Sequence, residues 1–572
     1  MPDPVALDPG YRSRAWKAAT TDPVDVLVVG GGVTGAGIAL DAVTRGLRVV
    51  LVEQSDLAAG TSSRSSKLFH GGLRYLEQLN FSLVREALKE RELMLTRIAP
   101  HLVKPVRFLY PLQHRFWERP YVTAGLTLYD TMGGARSVPR HQQLTRTQAR
   151  RLVPALKADA LAGALAYYDA QADDARHTMM VARTAAAYGA TILTSARVEG
   201  FEHAGERVTG ARVTDVETGE EHRIEASVVI NSTGVWTDEI QTMAGGRGRF
   251  HVRASKGVHL VVPRDRISSE VGMILRTEKS VLFVIPWNTH WIVGTTDTDW
   301  NLDLAHPAAS KADIDYVLEH VNKVLANPLT HDDIQGVYAG LRPLLSGEND
   351  STSQLSREHA VSRPQPGLIS IAGGKYTTYR VMAADAVDAA LEDLPSGTPA
   401  SVTEDIPLLG AEGYRALVNQ VPRIAARHHL PEWRVQRLLD RYGSLFGELV
   451  DLATEDPSLW EPLAAAPEYL RVEIRYAADH EGALHLDDIL ARRTRISIET
   501  EDRGVDVAQE VAELVAPVLG WDEGRVTDEV SAYRARVTAE RESQRAPEDQ
   551  AANAERLVAP DIRRRSVGRA LA

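Results

Sequence analysis

Apolar positions first run uninterrupted at Val26–Val29 and stop at three consecutive glycines, the pattern of a strand covered on both faces. Ile38, Leu40, Ala42 and Val43 then adopt helical spacing, and Leu47–Val52 return to a continuous apolar run. Residues 25–53 therefore predict strand, glycine turn, helix, strand. Residues 54–80, rich in Ser and Gly, predict a long ordered loop feeding a helix over Phe81–Ile98. Residues 100–170 mix Pro, aromatic and basic groups and predict an inserted subdomain. A helix is expected at 173–189, with strands near 191–194, 197–203, 207–214 and 226–230. Further strands are expected at 252–262, 281–286 and 291–296, with a helix at 310–326 among them. Leu368–Ala372 and Gly373-Gly374 add one more strand and a helix.

The Pro/Ser/Thr-rich stretch 394–409 predicts a boundary, beyond which strand-like runs vanish and helical periodicity lasts to about residue 540. The polar end, from 546, predicts a flexible tail. The first 23 residues form a polar, Pro-bearing arm without the apolar segment of a secretory signal. No stretch approaches the roughly 18 apolar residues of a spanning helix, so membrane contact is expected to be peripheral.

At 572 residues the chain predicts two or three domains. A net charge of −12 gives no basic bias toward phosphates, which excludes general nucleic-acid binding. Cysteine is absent, so disulfides, thiolate metal sites, iron–sulfur clusters and Cys nucleophiles are excluded, and a resident metal is not expected.

Gly30-Gly31-Gly32-Val33-Thr34-Gly35 is a G-x-G-x-x-G set between an apolar strand and a helix. Gly30 permits the tight turn, Gly32 the approach of a pyrophosphate and Gly35 close helix–strand contact, with the helix N-terminus facing the phosphates. Glu53 ends the next strand about 20 residues on, where a carboxylate accepts from ribose hydroxyls. Position alone does not separate FAD from NAD. Val228–Gly234, an apolar strand ending in Asn231-Ser232-Thr233-Gly234, favours a split FAD domain, with Gly234 at its turn.

Gly60–Glu77, GTSSRSSKLFHGGLRYLE, resembles the loop after the first FAD segment of FAD-dependent, quinone-linked, aerobic-type glycerol-3-phosphate dehydrogenases. The likeness continues in order through Lys256–His259, Phe283–Trp287, Gly294–Asp297, Gly340–Pro343, Gly373–Arg380 and Arg475–Arg495, covering roughly 24–500. It implies an α/β plus α fold: a glutathione-reductase-like two-dinucleotide-binding FAD domain interleaved with a β-sheet substrate domain, then a helical domain. The FAD domain is expected over 22–98, 170–250 and 355–395, the substrate domain over 99–169 and 251–354, and the helical domain over 405–545. The implied activity is oxidation of sn-glycerol 3-phosphate to dihydroxyacetone phosphate by hydride transfer from C2 to FAD, with electrons passed to quinone. The implied partners are glycerol 3-phosphate, a membrane quinone, an anionic membrane surface on the cytoplasmic side and a second copy of the chain in a homodimer. A glycerol-3-phosphate oxidase releasing hydrogen peroxide, an amine or amino-acid oxidase of the same fold, and a flavin-bound regulator without turnover are the competing readings.

Within that resemblance Arg74 and Arg342 are the phosphate candidates, because guanidinium offers a planar, always-charged fork. Tyr75 joins Arg74 in the expected substrate set, and Arg357 and Arg380 are weaker candidates. His259 is the expected general base, with His70 the alternative. Gly373, Gly374 and Lys375 open a helix whose N–H groups and cation can stabilise charge on reduced flavin, and Thr377 adds a polar contact. Ser66, with Ser62, Ser63, Ser65 and Lys67, is expected to line FAD; a solvated Ser-rich loop is the rival. Residues 84–140 carry ten Lys/Arg against five acids, interleaved with Phe108, Tyr110, Phe116, Trp117, Tyr121 and Tyr129, the expected lipid-facing patch. Glu481/His485 and Asp488/Arg492 are spaced for i,i+4 charge pairing in a scaffold.

Overall fold

The computed structural model describes residues 2–72, 80–112, 114, 118–132, 137–245, 250–277, 281–346 and 359–563. Arg74, Tyr75, Phe116, Trp117 and Arg357 lie outside them.

Two sheets organise the N-terminal two-thirds. The first runs, in spatial order, His359–Gln365, Leu368–Gly373, Glu221–Asn231, Val24–Val29, Val49–Val52 and Thr191–Leu193, parallel except at the His359–Gln365 edge. Val26, Leu27 and Val28 are inaccessible, as an interior parallel strand requires. Helices Val33–Thr44, Asp174–Ala187 and Tyr379–Asp388 join one core with this sheet. An antiparallel excursion, Ala196–Ala204 and Arg207–Asp215, leads into Glu221–Asn231.

Among the described residues the second sheet has ten strands and is centred on His251–Pro263, which pairs with Gly336–Ser346, His290–Gly294 and Thr298–Trp300. Lys104–Leu112 and Gly163–Gln171 extend it, and Leu68–Phe69 forms its far edge. The Ser-rich loop thus crosses to this sheet by residue 68, ahead of the boundary expected near 99.

The C-terminal third is helical, including Glu432–Tyr442, Arg471–Asp479, Ala508–Leu519 and Glu523–Arg545. It also holds a small hairpin, Pro462–Leu463 with Ala466–Leu470, whose brevity hid it among helical patterns.

Three further expectations, for the tail, the aromatic patch and the i,i+4 pairs, are corrected, and the polar N-terminal arm folds as a helix, Pro9–Thr21, N-capped by Asp8 and started by Pro9. Its Trp16 is buried and stacks on His222 at 4.5 Å. Over 546–563 the tail expected to be flexible is ordered, with helix Asp549–Leu557 and with Arg556 and Arg563 buried, while the rest of that tail, 564–572, lies outside the described residues. Phe108, Tyr110 and Tyr129 are core residues, since strand alternation and helix packing turn them inward, and Arg91 is buried against Asp169 at 2.8 Å. Only Tyr121 of the described aromatics in that patch is well exposed, at 51%. Asp488–Arg492 pairs at 2.6 Å, whereas Glu481 takes Arg176 at 2.9 Å and His485 takes Glu217 and Glu529.

Buried charge fastens the helical part to the first sheet. Asp56 accepts from Arg492 Nε at 2.6 Å and from both terminal nitrogens of Arg493 at 2.8 and 2.7 Å, and its own side chain is inaccessible. Removing one partner of such a set strands the others in a poorly polarisable interior. Asp56→Ala is therefore expected to lower stability by about 3–5 kcal/mol, read as a fall in the thermal midpoint. An unchanged midpoint would show that the two arginines find other partners.

Candidate active site

A cleft of about 800 Å³ opens at the C-terminal ends of the first-sheet strands and runs to the face of the second sheet. One end is built from glycines that only a missing Cβ permits. Gly30 has φ +110°, and a Cβ there would lie 2.9 Å from the Ser232 carbonyl oxygen. A Cβ on Gly35 would lie 1.8 Å from the Gly30 oxygen, so helix Val33–Thr44 can touch the turn only with glycine in place. Glu53 accepts from Gly31 N at 2.7 Å and Ser55 N at 2.9 Å. Burial pushes its carboxyl up, against those two N–H groups, which pull it down. Gly32 precedes the helix without a side-chain cap of its own, and Ser62 Oγ accepts from Val33 N at 2.9 Å instead. Gly234 opens the turn after Asn231-Ser232-Thr233 with φ +61°. Cavity, turn, acid and helix N-terminus together fit a dinucleotide such as FAD.

At the other end His259 sits mid-strand, opposite Tyr338 on one side and Gly294 on the other. Its ring stacks on Tyr338 at 4.7 Å and 12°, and a Cβ on Gly294 would lie 2.6 Å from the ring. Nε2 lies 2.9 Å from Ser66 Oγ, while Nδ1 is buried with no hydrogen-bond partner among the described residues. Burial, then the charges of Arg342 and Lys67, hold this imidazole neutral well below its usual range. Arg342 donates to Thr296 O at 3.2 Å and Thr295 Oγ1 at 3.1 Å, with Asp297 at 3.5 Å. Gly257 makes this possible, because a Cβ there would meet the guanidinium at 2.6 Å.

The expected residues divide by place. Gly30, Gly32, Glu53, Ser66, His70, Gly234, His259, Arg342, Gly373, Gly374, Lys375 and Thr377 all line the one cleft. Gly31 and Gly35 shape its turn from behind. Gly373 and Gly374 have φ +78° and +76°, and Lys375 leads from them into the turn Tyr376–Thr378. Thr377 Oγ1 accepts from His70 N at 3.2 Å, so this hydroxyl is used to hold the His70 backbone. Arg380 is a correction: it is bidentate on Glu90 at 2.8 and 2.6 Å, a structural pair. Lys67 is another, buried away from the cleft against Asp174 at 2.8 Å.

Residues the sequence reading passed over include Tyr338, whose hydroxyl donates to Ser65 O at 3.0 Å, and Arg64, which also lines the cleft. Burial, with Arg492 and Arg556 nearby, lowers the Arg64 guanidinium to about 10. A lone arginine in a Ser-rich loop beside the glycine turn was the available signal.

Residues 25–380 match the family model described as FAD dependent oxidoreductase, and residues 401–526 that described as the C-terminal domain of alpha-glycerophosphate oxidase. The chain is 63% identical over 559 residues to glycerol-3-phosphate dehydrogenase 2 of Mycobacterium tuberculosis, covering 98% of this chain and 96% of that protein. It is 34% identical over 555 residues to the mitochondrial glycerol-3-phosphate dehydrogenase of Bos taurus, covering 93% and 76% respectively. The solved glycerol-3-phosphate dehydrogenase of Bacillus halodurans complexed with FAD superposes with a TM-score of 0.78 at 29% identity, over 93% of this chain and 98% of that one.

The depressed His259 has a consequence for stability. Unfolded, its imidazole takes a proton near pH 6.5, while the folded protein keeps it neutral to lower pH. The unfolded state therefore binds the extra proton below about pH 6.5, and stability falls there by at most about 1.4 kcal/mol per pH unit. His259→Asn should flatten the fall in thermal midpoint between pH 6.5 and 5; parallel curves for the two proteins would refute it.

Proposed function

Because the chain belongs to the FAD-dependent glycerol-3-phosphate dehydrogenase family, we propose that it oxidises sn-glycerol 3-phosphate at C2 to dihydroxyacetone phosphate and passes the electrons to a membrane quinone. The observation that carries this reading is the meeting of His259 and Arg342 with the dinucleotide turn in one cleft. When bound, FAD supplies the acceptor for the hydride that leaves C2. The chain's residues do the rest. Arg342 presents a fixed cation, held by Thr295 and Thr296, to the phosphate or the neighbouring oxygen of the substrate. His259, neutral and stacked on Tyr338, takes the C2 hydroxyl proton as the C2–H bond breaks and the carbonyl forms. Lys375 and the Gly373-Gly374 turn add positive potential at the same end. Arg74 and Tyr75 complete the proposed substrate set.

A quinone acceptor dissolves in lipid, and no helix among the described residues is long and apolar enough to cross a membrane. The contact we propose is the edge made by Phe81, Tyr121 and Leu128, exposed by 41, 51 and 38% on two packed helices, with Arg85 and Lys89 exposed on the first. The oxidase reading stays in play because the matched C-terminal model bears an oxidase's name.

Anaerobic glycerol 3-phosphate should bleach the flavin absorbance, and a soluble quinone should restore it faster than air does, with little hydrogen peroxide formed. Stoichiometric peroxide would favour the oxidase, and no bleaching would remove both readings. Arg342→Ala should lower kcat/KM for glycerol 3-phosphate by about ten- to a hundredfold at unchanged flavin content, the scale of a charged hydrogen bond of about 1.5–3 kcal/mol. An unchanged kcat/KM would remove Arg342 from the substrate. A Tyr121→Asp/Leu128→Asp double variant should lose co-sedimentation with anionic vesicles while still reducing a soluble dye; retained sedimentation would place the contact elsewhere.

A further inference from the structure

The segment 546–563 runs across all three parts of the molecule and reaches the wall of the cofactor cleft by Arg563. Near its start, Ala546 O accepts from Lys311 N at 2.8 Å, and Asp549 accepts from Ser310 Oγ at 2.9 Å and pairs with Lys256 Nζ. Near its end, Arg563 Nη2 pairs with Asp488 at 2.8 Å and Nε donates to Ser195 Oγ at 3.0 Å. Ser195 belongs to the strand connection beside Glu53: Ser195 N donates to Ser55 O at 2.7 Å and Ala196 N to Glu53 O at 2.8 Å. Asp561 and Arg563 both line the 800 Å³ cleft, as does Glu53, the acid expected to accept from a ribose.

Between its ends the arm rests on helix Glu523–Arg545, with Ala552 inaccessible, Ala559 buried and Arg556 buried beside Glu540 at 3.6 Å, while Leu557 and Val558 are exposed by 43 and 75%. The apolar side chains buried there are small, and the ion pairs fall at the two ends and at Arg556, which suits a surface element that opens locally without unfolding the rest.

We infer that this arm is a clasp over the adenosine half of the FAD cleft, latched at one end by Asp549 on Lys256 and at the other by Arg563 on Asp488 and Ser195. FAD then enters before the arm docks and leaves only when it lifts. The clasp rests on FAD filling the cleft, a premise checked separately by the yellow colour and flavin content of the purified protein.

Two variants of the full-length holoenzyme separate a latch from a simple contact. Lys256 and His259 point to opposite faces of their strand, so Asp549→Asn loosens the arm from the far side, away from the reaction face. The rate of FAD release, followed by recovery of flavin fluorescence on dilution, should rise at least about tenfold in both Asp549→Asn and Arg563→Ala, with Arg563→Lys in between. In the unmodified chain, amide exchange over 549–563 should quicken when FAD is removed. Release rates within twofold of the unmodified protein overturn the clasp, as does acceleration in Arg563→Ala alone, which would make Arg563 a local contact. Exchange over 549–563 that ignores FAD overturns it even if a variant fails to fold.

Discussion

Two adjacent carboxylates, Asp173 and Asp174, begin the helix Asp174–Ala187 and gather the cations around which the site is assembled. Asp174 accepts from Lys67 Nζ at 2.8 Å and from Ser65 N and Oγ at 2.9 and 2.7 Å, while Arg495 reaches both acids from the helical part. Burial disfavours every one of these charges, yet Arg495 and Arg441 outweigh it and hold the Asp173 carboxyl below its usual range. The Ser-rich loop is set by this lattice, and the loop in turn carries Ser66 to His259 and Ser65 O to the Tyr338 hydroxyl. A slack lattice would leave the His259 ring without its Ser66 partner. Stability and chemistry share one set of ions here.

The division of labour follows from the two sheets. Parallel strands with glycine at their C-terminal ends make a place where backbone meets a dinucleotide, and the rest of that sheet is core. Strand His251–Pro263 of the second sheet alternates its side chains, so Val258 and Leu260 pack inward while His259 faces the cleft. Gly257 and Gly340, opposite one another in register, clear room for the Arg342 guanidinium and for the Arg64 backbone. The helical part lines the cleft with Asp487 and Arg492 and is tied to the rest through the pairs Arg492–Asp56 and Arg495–Asp174.

The glycine turn and Glu53 were legible in the sequence because each fulfils a local demand, a turn with φ +110° or an acid ending a strand. The two sheets were mostly legible for the same reason: periodicity is local. What escaped depends on partners far along the chain. Arg380 reads as a phosphate ligand until Glu90, 290 residues away, is seen to hold it. Counting charges and aromatics over 84–140 suggested a lipid face, but counting does not know which side of a strand Phe108 and Tyr110 occupy. The tail from 546 is polar by composition, yet Lys256 and Asp488 give its charges somewhere to go. Arg74 and Tyr75 rest on resemblance alone.

The function proposed for the cleft of His259 and Arg342 requires that the hydrogen lost from C2 of glycerol 3-phosphate is the one that reduces the flavin. Single-turnover mixing of the oxidised protein with substrate carrying deuterium at C2, or instead at C1 and C3, tests it most directly. Deuterium at C2 should slow the loss of flavin absorbance, and deuterium at C1 and C3 should leave it nearly unchanged. Equal rates for the C2-labelled and unlabelled substrates, with bleaching limited by chemistry rather than binding, would contradict the account.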